Sequence, residues 1–467
     1  MPSDHADSGS LSSALAVHVA GARFEGLPQA TAHASKRALL DAVGVMYAAS
    51  GLVREVRPFI DLALAHKGTP ESTILGTGTR VPAAMAALAN GAMSHALDYE
   101  DAFDAAPVHP DASLIPVVLA LAQSRAPVSG RQLITAIATG CDFACRLALS
   151  LRQPLEAGGW YPPPILAAFG AVAGAANLLR LSPEQTKSAW SLLLLQNSCA
   201  GEIKYDAGTV IRAVREAFPA QAAVTSTLLA EAGIQGFRAP FEGRAGFFAL
   251  FAGGCFEPRD LLEDLGRRYL VEALSFKPWP SCRGTHAAVE AALWIRDQPG
   301  YDASQVQDVT VQGSAIQAML AEPLQRKREP ATAIDAKFSL PFTVATALVK
   351  GEVRLESFGE AALKDDDVRA MAARIGFIEH PQSSATSAGV ILRQRDGRTY
   401  EHRVADPRGS PARPLTDEAL VDKFVDCVGR AQAPLAAAPA RALAGRILGL
   451  EKEADAGRLF QTRGNRT

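Results

Sequence analysis

Apolar residues recur with helical spacing almost without a break from Ser10 to Leu274, more than half of a 467-residue chain. The clearest stretches are 36–49, 83–96, 114–123, 130–149, 165–179, 183–196 and 216–232. Ser182-Pro183-Glu184 offers an N-cap followed by proline at the first helical position. No strand alternation with hairpin turns interrupts the run, apart from a short extended piece near residues 72–75. Such a pattern leaves room for little except helices packed on helices. Composition agrees, with 48% hydrophobic residues and only 6% aromatic ones. Small and aliphatic side chains favour close helix packing over a β-sandwich.

After Tyr269 the pattern changes. Residues 306–311 (VQDVTV) predict a strand, and 388–395 and 400–404 alternate around Asp396-Gly397, a hairpin signal. Helical stretches sit between them at 285–295, 342–349 and 366–374, and helix resumes after Pro414. The expected fold class is mostly α, with a smaller α+β unit inside the chain.

Several function classes lose support. A formal net charge of −2, with no basic block before the short tail at 463–466, argues against nucleic-acid binding. No apolar run reads as a membrane span, and the N-terminus lacks the basic and apolar regions of a signal peptide. The six cysteines lack the spacing of a metal set and are expected to be buried free thiols of a cytoplasmic protein. Gly236, Gly243 and Gly246 do not follow a strand and lack the Walker pattern, so they are expected to be turns. Neither a metal nor an organic cofactor is expected.

The stretch 89–121 carries the chemistry. An alanine-rich helix pattern acquires His95, Asp98, Glu100, Asp101 and Asp104, breaks at Pro107-Val108-His109-Pro110, and resumes as apolar helix. Ionisable groups between two buried helices are costly unless paired or used. Helical spacing would put His95, Asp98 and Asp101 on one edge, with His109 folding back over it. A carboxylate beside an imidazole suits proton transfer at carbon.

The segment Ala89-Asn90-Gly91, His95, Asp98-Tyr99-Glu100-Asp101, His109-Pro110-Asp111 resembles the 2-methylcitrate dehydratase (MmgE/PrpD) family. Three more segments resemble it in the same order: GAVAGAANLLRLS at 170–182, FKPWPSCRGTH at 276–286 and DAKFSLPFTVATAL at 335–348. LTDEALVDKF at 415–424 fits as well, so the resemblance spans roughly residues 10–450. It implies a large all-helical domain made of residues 1–270 and 412–467, with an α+β lid inserted at 271–411. It also implies a homodimer, and places Asp98 and His109 in the active site.

The chain departs from the family pattern at several positions. Ala102 stands where a Thr or Ser often follows the acidic pair. Tyr161, in GGWYPPP, replaces a His; Arg212 and Arg215, in GTVIRAVR, take the places of a Lys and a His; Cys282 stands where some relatives have His. The candidate catalytic residues are Asp98, His109, Tyr161 and Lys277. Asp101, Arg212, Cys282 and Arg283 are the candidate substrate contacts. Lys277 and Arg283, on a loop stiffened by two prolines, are cations suited to a polycarboxylate. His286, Asp335 and Lys337 are expected to be structural. The expected activity is a cofactor-independent lyase of dehydratase or decarboxylase type that abstracts an α-proton from a small carboxylic acid. An epimerase or isomerase of a similar acid, or a repurposed family member, is the alternative.

Overall fold

The structure, a computed structural model, describes residues 10–460 apart from 126 and 207. The basic tail at 463–466 and the first nine residues, part of the stretch read for a signal peptide, lie outside the described residues.

The first part of the chain is carried by α1 (Leu11–Gly21), α2 (Gln29–Leu52), α3 (Arg57–Ala65), α4 (Ala83–Ser94), α5 (Pro110–Ser124), α6 (Gly130–Ser150), α7 (Pro162–Leu178), α8 (Pro183–Leu194) and α9 (Ala217–Glu231). Their starts follow the local signals. Ser182 caps α8 in a capping box with Gln185, Pro183 opening the helix, and Ser129 does the same for α6 with Gln132.

Small residues set the packing distance. A Cβ on Gly140 of α6 would come 2.5 Å from Leu114 Cδ1 and 2.7 Å from the Gly170 carbonyl oxygen of α7. One on Gly170 would come 2.5 Å from the Gly140 oxygen, so the two helices cross backbone to backbone. Helix α6 is long and apolar enough, by length and composition alone, to cross a membrane. It is packed inside the protein, and it carries the buried Asp142–Arg146 ion pair at 2.7 Å.

Four two-residue strands form two small pairs. β1 (Ser72–Thr73) pairs with β2 (Arg80–Val81), matching the extended piece expected near 72–75. β3 (Ala102–Phe103) pairs antiparallel with β4 (Leu274–Ser275), Ala102 opposite Ser275. Beyond it lies a sheet of β5 (Val306–Gly313), β6 (Ile375–Glu379), β7 (Ala388–Gln394) and β8 (Thr399–Val404), in the order β6-β5-β7-β8. β6 runs parallel to β5, while β7 and β8 form the expected hairpin, Gly397 at φ +86° in its turn. β6 has no counterpart among the sequence expectations; it is short, half exposed and carries a glycine, so neither alternation nor an apolar run marks it. Helices His286–Arg296 and Leu340–Lys350 pack on each other, the first also against β7 and β8. The helices Asp417–Val428 and Ala437–Leu448 then lie against α2. The protein is mostly α.

Candidate active site

Helix α4 ends at Ser94, with His95 as its C-cap. The chain then turns: the Asp98 amide donates to the His95 carbonyl at 2.8 Å, and Asp98 itself sits at φ +49°, a left-handed conformation uncommon outside glycine. This corrects the helical-edge reading. His95, Asp98 and Asp101 do not share a helix face, because the helix has stopped. The turn swings Glu100 inward instead, its Oε1 lying 2.5 Å from His95 Nδ1, with Asp98 Oδ1 at 3.9 Å from the same nitrogen. His95, Asp98 and Glu100 are all buried.

Lys277 completes the cluster. The β3–β4 pair ties the segment after the turn to the one leading into Lys277, whose ammonium reaches Asp98 Oδ1 at 2.6 Å, the Asp98 carbonyl at 3.1 Å and Glu100 Oε1 at 3.8 Å. Burial works against every charge here. The lysine and His95 outweigh it, holding Asp98 below the usual carboxylate range and Glu100 well below it. Burial also opposes the charge on Lys277, and Asp98 and Glu100 outweigh it and raise its pKa. Ligand atoms of His95, Asp98 and Glu100 lie within 4.8 Å of one another, close enough to hold a metal ion. The Lys277 ammonium already lies against both carboxylates, so the chain supplies their countercharge.

His109 precedes α5 and comes back over the cluster, its ring 5.7 Å from that of His95. Its Nδ1 is 2.7 Å from the Asp101 carbonyl oxygen and 3.4 Å from Glu100 Oε1. A carbonyl accepts only, so Nδ1 donates and a neutral ring keeps its lone pair on Nε2. Its side chain retains 18% exposure, against 0–1% for Glu100, His95, Asp98 and Lys277. Burial, reinforced by the nearby Lys277 charge, pushes His109 down to about 3.

Asp101, an expected substrate contact, is closed off from solvent. It is buried, with neither carboxyl oxygen hydrogen-bonded to a described residue; its backbone carbonyl is what positions His109. Burial, then the nearby Asp111, pushes Asp101 well above the usual carboxylate range, and burial lifts Asp111 itself to about 8.

Tyr161 caps α7 ahead of three prolines. Its hydroxyl accepts from Arg215 Nη1 at 2.9 Å and Arg212 Nη2 at 3.4 Å. Arg215 is fixed by Glu216 at 3.0 Å, and Glu216 accepts from Ser113 on α5 at 2.6 Å. The Arg212 guanidinium lies 3.4 Å from the Phe338 ring centroid and pairs with no carboxylate among the described residues. Cys282 is half-buried, and burial followed by the charge of Asp98 raises its thiol pKa. That leaves it a poor nucleophile.

Arg283, an expected substrate contact, is engaged by a carboxylate of the chain itself. Its Nε and Nη2 clamp Asp104 at 3.0 and 2.9 Å, and Ser275 donates to the same carboxylate at 2.6 Å. His286 is structural, with Nε2 3.1 Å from the Ser281 carbonyl. Asp335 meets Arg326 at 3.2 Å and Lys327 at 3.6 Å. The cysteines are free thiols; Cys141, Cys145 and Cys427 are buried as expected, but Cys199 and Cys282 are only half-buried and Cys255 is exposed.

Two supports escape a reading of the sequence. Glu100 is visible there only as one of five ionisable residues, and nothing in its spacing ranks it above Asp101. Lys423 gives no signal at all. It reaches in from the C-terminal helices to Asp41 at 2.7 Å, the Tyr99 carbonyl at 2.7 Å and the Lys277 carbonyl at 2.9 Å.

Comparison with known proteins places the chain. Residues 13–258 match the MmgE/PrpD N-terminal domain, and residues 279–441 match the MmgE/PrpD C-terminal domain. The chain belongs to the MmgE/PrpD family. A cis-aconitate decarboxylase-like protein of Aspergillus oryzae is 25% identical over 450 residues, 90% of this chain and 91% of that protein. The cis-aconitate decarboxylase of Homo sapiens is 24% identical over 428 residues, 89% and 87% of the two chains. That of Mus musculus is 23% identical over 433 residues, 89% and 86%.

Proposed function

We propose that this MmgE/PrpD protein is a cofactor-independent lyase, of dehydratase or decarboxylase type, acting on a small carboxylic acid. One observation carries the reading: a neutral, partly exposed imidazole with Nδ1 pinned and Nε2 free, set over a buried cluster of fixed charges. His109 Nε2 takes the proton next to a substrate carboxylate. Arg212, free of any carboxylate partner among the described residues, binds that carboxylate through its planar fork. In the dehydratase form the C–H electrons become the new C=C bond, the C–O bond breaks, and the departing hydroxide takes a proton. Tyr161 suits that last step, since both guanidiniums donate to its oxygen and its own O–H remains to be given. In the decarboxylase form the C–CO₂ bond breaks in place of the C–H bond, its electron pair stays on the carbon skeleton, and a proton taken from solvent and delivered by His109 completes the new C–H bond. Asp98, Glu100, Lys277 and His95 hold the field around His109 without touching substrate.

The curated relatives named cis-aconitate decarboxylases support the lyase class. Tyr161 and Arg212 in place of a His and a Lys change the acid and the carboxylate contact of the site, so 2-methylcitrate and cis-aconitate should be poor substrates. Proton–deuterium exchange of small di- and tricarboxylates, followed by NMR, tests the reading. Exchange with loss of water or carbon dioxide is expected. Exchange that yields only a stereoisomer would make the protein an epimerase, and no exchange with any acid would end the proposal. We also propose a homodimer, motivated by exposed Phe218, Ile211, Leu195 and Tyr205; a concentration-independent monomer mass in light scattering would refute it.

A further inference from the structure

One cavity beside the charged cluster is lined mainly by apolar residues. It is a groove of about 400 Å³, walled by Leu52, Val53, Leu97, Ile334, Leu355 and Phe358. Leu97 directly precedes Asp98, so the groove lies against the same turn that builds the charged cluster. Lys337 is the cation among its described lining residues, and it is 3% exposed. Its ammonium donates to the Pro280 carbonyl at 2.9 Å and lies 4.1 Å from the Phe358 ring centroid. No carboxylate among the described residues lies within ion-pair distance of it. Asp98 and Glu100 act on it only at longer range, and Lys277 opposes them; burial, the largest influence, takes the amine down to about 7. The groove also carries Glu55, Glu356 and Glu360, the latter two exposed. The groove is thus apolar along its walls, cationic at depth and acidic where it opens. A ligand that matches has an anionic inner end and an uncharged apolar arm.

We propose that this groove binds the alkyl arm of a carboxylic acid whose carboxylate is held at Lys337, so that the substrate is an alkyl-substituted acid rather than a bare polycarboxylate. The inference rests on the reading of the site as one for a carboxylic acid. Each methylene laid along Leu97, Leu355 and Phe358 leaves water, which favours binding. Partial burial of a long arm would therefore show as a gain of tenfold or more in affinity.

Calorimetric titration of the full chain with succinate, 2-octylsuccinate and octylamine tests the groove. We expect 2-octylsuccinate to bind at least tenfold more tightly than succinate, with octylamine not binding detectably. Ala362→Trp places a large side chain in the groove without touching the charged cluster. It should erase the alkyl preference while leaving succinate binding unchanged. Equal affinities for succinate and 2-octylsuccinate in the wild type would overturn the proposal, as would tight octylamine binding. An Ala362→Trp variant that keeps the full preference would do the same. If Ala362→Trp changed the molecular mass in light scattering instead, the groove would be a contact between copies of the chain. Should alkyl preference persist while no acid exchanges its α-proton, the groove stands and the proposed chemistry falls; exchange without alkyl preference would overturn the groove and keep the chemistry.

Discussion

The His109 side chain keeps 18% exposure where Glu100, Asp98 and Lys277 keep 0–1%, and that difference decides its role. The three neighbours are closed off from solvent by their own pairing, whereas the imidazole is pinned on one nitrogen and open on the other. His109→Gln keeps an amide that can bond the Asp101 carbonyl but cannot take a proton. It should reduce turnover at least ~10²-fold, the low end of general-base contributions, while substrate dissociation constants change much less. Unimpaired turnover would remove His109 as the base. In the proposed reaction Arg212 serves recognition. Arg212→Met preserves packing on Phe338 and deletes the guanidinium, so steady-state kinetics should show KM raised with kcat nearly kept. A fall in kcat at constant KM would place Arg212 in the chemical step.

Between elements, glycine sets the distances that place the site. Gly140 and Gly170 bring α6 and α7 to backbone contact, and Gly91 lets α4 lie against Glu216, where a Cβ would meet that residue's carbonyl oxygen at 2.6 Å. Glu216 is also the anchor of Arg215, so the approach of α4 and the orientation of Tyr161's partner are linked. Gly140→Ala should force the crossing apart and cost about 1–3 kcal/mol of stability, read as a lower denaturant midpoint at unchanged slope. A midpoint equal to wild type would mean that Leu114 and the two helices can give way without cost.

Buried titratable groups govern the whole molecule's response to pH. Burial, aided by Arg146, takes His18 down to about 4, burial takes His109 to about 3, and burial holds His286 well below the usual imidazole range. Each is neutral in the fold and takes up a proton when unfolded below about pH 6.5. Their contribution to stability is therefore complete above that pH and lost as pH falls. Asp111 runs the other way: burial raises it to about 8, so its contribution is complete below the unfolded value near 4 and is lost as pH rises through 8. Between pH 6.5 and 8 the histidines are neutral in both states. Lys337, lowered to about 7, acts equally in wild type and variant. The melting temperature of Asp111→Asn should thus fall less over that interval than that of wild type. Parallel profiles would show that Asp111 is ionised in the fold.

Helix-rich architecture, the helix start at Ser182, the β7–β8 hairpin and the family were all legible in the sequence. Each is written in local order: apolar period, cap chemistry, turn residues, short motifs. The segment holding His95, Asp98, Glu100 and His109 was legible too, because so many ionisable groups in an apolar stretch are conspicuous. The assignment within that segment was not. Whether Glu100 or Asp101 faces Lys277 depends on where α4 stops and on a left-handed residue at Asp98, since both carboxyls are buried and only Glu100 reaches the lysine. Arg283's engagement with Asp104, Lys423's reach to the Lys277 carbonyl, and the groove ending at Lys337 join residues more than a hundred positions apart. Such partners are chosen by packing across elements, where burial makes an unpaired charge too costly to leave alone, and only the tertiary structure decides which charges meet.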